Sequence, residues 1–177
     1  STWDNAADLQ HALSIATSST EIWVATGVYT PGIDVNATYT VTSGIQLYGG
    51  FIATETLRTQ RDWIANPTIL SGDIDGNDIT VSNVVTTAAN IVGNNAYHVL
   101  VLDGVNGDPI TQTTRIDGFT ITAGNASGGL GGGLTCQGYE GGECSPVIAN
   151  ATFSGNAAGS GGAMYNAGYP GGASHPS

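Results

Sequence analysis

Residues 114–166 hold two imperfect copies of one pattern, and no other feature of the chain restricts its fold as much. Gly131-Gly132-Gly133-Leu134 lines up with Gly161-Gly162-Ala163-Met164 at an offset of thirty residues, and Pro146 lines up with Pro176 at the same offset. A fixed period in this range marks a repeat architecture, in which each unit buries its apolar face against the next. Ser174-His175-Pro176-Ser177 then reads as the opening of a third copy, so residues 1–177 are expected to form the N-terminal part of a longer protein, as one domain.

Ahead of the repeat, one segment has a helical pattern. Leu9, Ala12, Leu13 and Ala16 recur at i, i+3, i+4 and i+7, which gives a single apolar stripe. Asp4 or Thr2 is the expected N-cap, with Asp8 near the positive end of the helix dipole. A helix within residues 1–20 would cover the open apolar end of the first unit, as terminal caps of repeat arrays do. From residue 21 on, short β-rich runs follow, such as EIWVATGVY at 21–29, YHVLVLDGV at 97–105 and VIANATF at 147–153. Gly, Pro, Asn or Asp bounds each run, and no helical pattern falls between them, which argues against a doubly wound α/β fold. Two all-β readings remain. In a sandwich, Asp117-Gly118 would be a tight hairpin turn. In a parallel β-helix, residues 21–177 would form successive coils, and the glycine-rich corners and the offset of thirty favour this form. The polar stretch at 73–95 is expected to leave the coil as an insertion.

Composition decides the class of partner. Fourteen acidic residues face three arginines and no lysine, for a net charge of −11. Such a chain lacks the basic footprint that nucleic acid requires, and anionic membranes would repel it. Carboxylate-rich surfaces suit divalent cations. No apolar run is long enough to span a membrane. The cysteines, Cys136 and Cys144, enclose a short glycine-rich loop. A disulfide fits this isolated pair and points to an oxidising compartment; a metal-binding pair is the other reading.

Several short motifs carry a family likeness. Phe153-Ser154-Gly155-Asn156 has the form Phe-x-x-Asn, and Gly161-Gly162-Ala163-Met164 the form Gly-Gly-Ala-aliphatic. With IWVATGVYTP, LYGGF, RDW, NPTILSGD and DGFTITAGNA in that order, the chain resembles the secreted right-handed parallel β-helix proteins related to the chlamydial polymorphic outer membrane proteins. The resemblance implies an all-β, right-handed parallel β-helix (a solenoid) with an N-terminal capping α-helix. It also implies a structural or adhesive role at the cell surface or in secretion, with no catalytic residue carried over.

The sharpest candidate site is Asp73-Ile74-Asp75-Gly76-Asn77-Asp78. Alternating oxygen donors at Asp73, Asp75 and Asn77, with Asp78 as a further ligand, are suited to Ca²⁺. Val84 stands where an EF-hand loop would have its bidentate Glu, and an Asx-type turn is the competing reading. Glu55, Arg58, Arg61 and Asp62 form either an acidic-sugar clamp or a salt-bridged loop beside Trp63. Asp103, Asp108 and Asp117 are the carboxylates available to a glycosidase, if a pair of them converges. Trp3, Trp23 and Trp63 with Tyr29, Tyr39 and Tyr48 either make a sugar-stacking platform or pack the first part of the fold. The chain therefore reads as a non-enzymatic, extracellular structural or adhesive protein, acting on cell-surface or extracellular polymers or through self-association. The alternatives are a polysaccharide-active lyase or glycosidase, and a calcium- or carbohydrate-binding module.

Overall fold

A computed structural model describes residues 3–177, so Thr2, one of the two expected helix caps, lies outside the described residues. The helix is shorter than its stripe implies. It spans Leu9–Ile15, and its N-cap is neither Asp4 nor Thr2 but Asp8, whose carboxylate accepts the His11 N–H at 2.8 Å. Asp4 falls instead in a single 3₁₀ turn, Trp3–Asn5. Leu9 and Leu13 are buried against the strands Glu21–Ala25 and Tyr39–Thr40.

Twelve strands make three parallel four-stranded sheets. The first holds Glu21–Ala25, Gln46–Phe51, Arg115–Asp117 and Val147–Ala149, in that spatial order. The second runs Gly27–Tyr29, Thr68–Ser71, Phe119–Thr122 and Thr152–Ser154. The third runs Tyr39–Thr40, Leu100–Asp103, Leu134–Gln137 and Met164–Ala167. The chain adds one strand to each sheet in turn on each of four passes. Each sheet sends one row inward: Leu47 and Ile116 from the first, Leu70 and Ile121 from the second, Leu100 and Leu134 from the third, all fully buried. Two parallel pairs complete the later passes, Asn125–Leu130 with Ala157–Ser160 and Glu143–Cys144 with Ala173–Ser174.

This arrangement corrects the expectation of a single right-handed parallel β-helix closed by a cap helix. The parallel strands are divided among three separate sheets packed side by side, and the passes are unequal. Glu21 pairs with Gln46, Gln46 with Arg115, and Arg115 with Val147, so the first intervals are 25 and 69 residues and only the last, 32, approaches the sequence repeat. The physical reason is that the thirty-residue pattern exists only in the C-terminal part of the chain, where Leu134 pairs with Met164. The sandwich reading fails as well. Asp117-Gly118 is no hairpin: Gly118 is a corner that leads from the first sheet into the second, with φ +87°. Among the described residues the one antiparallel strand pair is Thr80–Val81 with Val84–Val85, inside the segment 73–95.

That segment starts and ends at one place, since Asp73 and Asn95 form an antiparallel bridge. Its hairpin folds back on the second sheet. The Val85 N–H donates to Thr122 Oγ1 (3.0 Å), and the Ser154 hydroxyl donates to Val85 O (2.8 Å).

The repeat motifs have identifiable work. Phe153 packs half-buried beside Ile121 at the edge of the core. Asn156 bonds across to the preceding pass: its Oδ1 accepts the Gly124 N–H (2.9 Å) and its Nδ2 donates to Ile121 O (2.9 Å). Gly161 and its counterpart Gly131 both have left-handed φ, +65° and +69°, which glycine adopts without the penalty a Cβ brings. Gly162 O accepts the Gly133 N–H (2.9 Å) and Ala163 O the Leu134 N–H (3.0 Å), so the second copy of the motif is bonded directly onto the first, and Met164 follows in register with Leu134.

Cys136 and Cys144 form a disulfide with Cα atoms 5.6 Å apart, and both are fully buried in the core. The metal-pair reading of these cysteines is thereby set aside.

Candidate functional site

Most residues that sequence reasoning singled out serve the fold. Trp3, Trp23 and Phe51 pack on one another, with centroids 5.6 Å apart for Trp3–Phe51 and 4.8 Å for the stacked Trp23–Phe51 pair. Tyr39 is 2 % exposed, and the ring of Tyr48 lies under the guanidinium groups of Arg58 and Arg61. These aromatics form no open platform.

The arginines do not pair within their own loop. Arg58 bonds Glu21, and Arg61 reaches Asp117 in the next pass, Nη2 to Oδ1 at 2.8 Å, with both side chains about nine-tenths buried. Arg61 also donates to Gly49 O (3.0 Å) and Asp117 O (3.1 Å) and lies over the Trp63 ring. Arg115 at 3.3 Å and Asn150 Nδ2 at 2.8 Å complete the shell around the Asp117 carboxylate. Glu55 and Asp62 accept backbone N–H groups of their own turns. All three arginines therefore sit at the first sheet, and two of them enclose one carboxylate.

Of the carboxylates proposed for hydrolysis, Asp103 and Asp117 are not brought together. Asp117 belongs to the first sheet and Asp103 to the third. Asp103 accepts from Val105 N, Asn106 N and Asn106 Nδ2 at 2.9–3.0 Å. Burial pushes its carboxyl up, but these hydrogen bonds outweigh it and hold the group below the usual carboxylate range.

At the 73–78 turn, Asp73 accepts the backbone N–H groups of Gly76, Asn77 and Asp78 at 2.9–3.2 Å. Asp75 accepts from Asn94 across the mouth of the insertion. Asp78 takes the Val92 N–H and Asn95 Nδ2. Desolvation raises the Asp78 carboxyl above its ordinary value, and the charges of Asp73 and Asp75 add to that rise. Among the described residues, no three His, Cys, Asp or Glu side chains are grouped to hold a metal ion.

A broad concavity lies elsewhere, on the outer face of the third sheet. It is a groove of about 610 Å³ lined by Tyr97, Tyr139, Tyr165 and Tyr169, with His98, Thr135 and Gln137 on its floor and rims. Strand alternation places these groups. Leu134 and Cys136 point into the core, so Thr135 and Gln137 point outward, and Tyr165 stands beside Thr135 in register. Tyr139 and Tyr169 project from the turns that follow these two strands, and Tyr97 enters from the end of the insertion.

Thr135 Oγ1 is committed to Gly131 O (3.2 Å), but much of the polar lining of the groove is not. Among the described residues, none of the four tyrosine hydroxyls and neither atom of the Gln137 amide bonds to protein, whereas Tyr29 and Tyr48 outside the groove both donate internally. His98 Nδ1 lies 2.8 Å from Gly131 O and so carries a proton, which leaves Nε2 as the free ring nitrogen. Sequence reasoning missed the site because its tyrosines lie in or beside Gly-rich turns. The available signal was the repeat itself, which places Tyr139 and Tyr169 thirty residues apart.

No family model, no curated protein and no solved structure matches the chain. The likeness to the polymorphic outer membrane proteins rests on the short motifs alone.

Proposed function

We propose that the protein is a non-enzymatic extracellular structural or adhesive protein, secreted or at the cell surface, and that the tyrosine groove is where it holds carbohydrate. One observation carries this reading: four tyrosines with unbonded hydroxyls converge around neutral donors and acceptors on one open face. Aromatic faces stack on the apolar faces of sugar rings, and a few placed amide, imidazole and hydroxyl groups meet the sugar hydroxyls. The buried Cys136–Cys144 disulfide supports an oxidising location. Among the described residues, no helix is long and apolar enough to cross a membrane. Self-association belongs to the same proposal.

The competing reading is a polysaccharide-active enzyme. The test is to incubate the purified protein with insoluble neutral and acidic polysaccharides, then measure retained protein together with new reducing or unsaturated chain ends. Retention that Tyr165→Ala abolishes, with no new ends, is the expected result. New chain ends would install the enzyme reading, and no retention on any polysaccharide would overturn the proposal.

A further inference from the structure

The turns 138–142 and 168–172 lie one on the other. Gly138 N–H donates to Ala167 O (2.7 Å), Glu140 N–H to Pro170 O (2.9 Å) and Ala173 N–H to Gly142 O (2.9 Å). The approach is so close that a Cβ on Gly172 would fall 1.7 Å from Gly138 O, so no other residue fits there. Tyr139 and Tyr169 hold the same place in these two layers, and the layers are one strand spacing apart, roughly 4.8 Å. The aromatic groups of the groove thus advance across the strands, one layer per pass, and not along any strand.

Charge narrows the ligand further. Neither a carboxylate nor an arginine lines the groove. The arginines are held at the first sheet by Glu21 and Asp117. With a net charge of −11 on the chain, an acidic polymer is repelled by the whole molecule and meets no cation in the groove.

We propose, resting on the carbohydrate reading above, that the groove takes a linear, uncharged polysaccharide whose chain runs perpendicular to the strands. One ring stacks on Tyr139 and a neighbouring ring on Tyr169, while Gln137 and His98 Nε2 bond hydroxyls between them.

Calorimetry tests this with cello-oligosaccharides and N-acetylglucosamine oligomers from the disaccharide to the hexasaccharide, beside a branched neutral glycan and an oligogalacturonate. Affinity is expected to rise with length for at least one of the linear neutral series and to be absent for the oligogalacturonate. Tyr139→Ala and Tyr169→Ala should each weaken the longest ligand about tenfold, and their combination about a hundredfold, and each should also weaken the disaccharide, whose two rings span the same pair of tyrosines. Circular dichroism and melting of the variants confirm that these surface changes leave the fold intact. Equal binding of the branched or acidic glycan, or affinity that does not depend on length, overturns the linear ligand and leaves the carbohydrate reading standing. No binding of any glycan overturns both.

Discussion

Among the described residues Asp117 is the one carboxylate that balances Arg61, and replacing it leaves that charge without a counter-ion. The Arg61 side chain is 9 % exposed and that of Asp117 8 %, with a contact of 2.8 Å. An ion left uncompensated at such depth costs about 3–5 kcal/mol. Arg61 would keep the Gly49 carbonyl at 3.0 Å, the backbone carbonyl of residue 117 at 3.1 Å, and the rings of Tyr48 and Trp63. These hold the guanidinium in place and in part solvate it, so the lower end, about 3 kcal/mol, is expected for Asp117→Ala. Arg115 is one-third exposed and bonds at 3.3 Å, so its own loss adds little. A domain of this size is stable by about 5–15 kcal/mol, so the variant still folds. Urea unfolding followed by tryptophan fluorescence reads the change directly, because Trp63 lies 4.8 Å from the Arg61 guanidinium. The double variant Arg61→Met, Asp117→Leu should recover to within about 1 kcal/mol of the parent, since it leaves neither charge behind. A cost for Asp117→Ala below about 1 kcal/mol, the range of exposed pairs, would refute the argument from burial. So would a double variant as unstable as the single.

Replacing Cys136 and Cys144 by serine opens an eight-residue separation and should lower stability by about 2–3 kcal/mol, measured by chemical unfolding against the parent with and without reductant; equal stability of the two proteins would deny the bond this role. Calcium, proposed for Asp73, Asp75, Asn77 and Asp78, should offset the charges of Asp73 and Asp75 that act on Asp78 and raise the melting temperature at millimolar concentration. An unchanged melting curve with no heat in calorimetry leaves the segment as a turn alone. Asp103 has a folded pKa below its unfolded one, so its contribution is present above the ordinary carboxylate value of about 4 and is lost as pH falls through the lower folded value. Asp103→Asn should therefore lose less stability than the parent between about pH 5 and pH 2; parallel curves would show that the hydrogen bonds to Val105 and Asn106 do not act through charge.

What was legible in the sequence was local or repeated. The helix stripe at Leu9 and Leu13, the isolated cysteine pair and the Gly-Gly-Ala-Met match are patterns of spacing, and spacing survives without coordinates. The helix start is not legible because Asp4 and Asp8 are equally good caps by type. Only the chain's path decided for Asp8. The overall form is not legible because the repeat is confined to the C-terminal end, and the first passes, with intervals of 25 and 69 residues, show no such period. The Arg61–Asp117 pair spans 56 residues, and nothing in composition ties one to the other. The groove was hidden for a related reason: Tyr97, Tyr139, Tyr165 and Tyr169 become neighbours only when the passes stack.

The Asn156 side chain has a consequence for how the molecule is made. Its two bonds complete Gly124 and Ile121, residues that leave the ribosome well before it does, with a lag of 32 residues for Gly124. At synthesis rates of about 5–20 residues per second, those backbone groups wait roughly two to six seconds for their partner. At this layer the growing chain is therefore one step behind itself: Gly124 and Ile121 stay open to water, or to a chaperone, until Asn156 emerges to seal them.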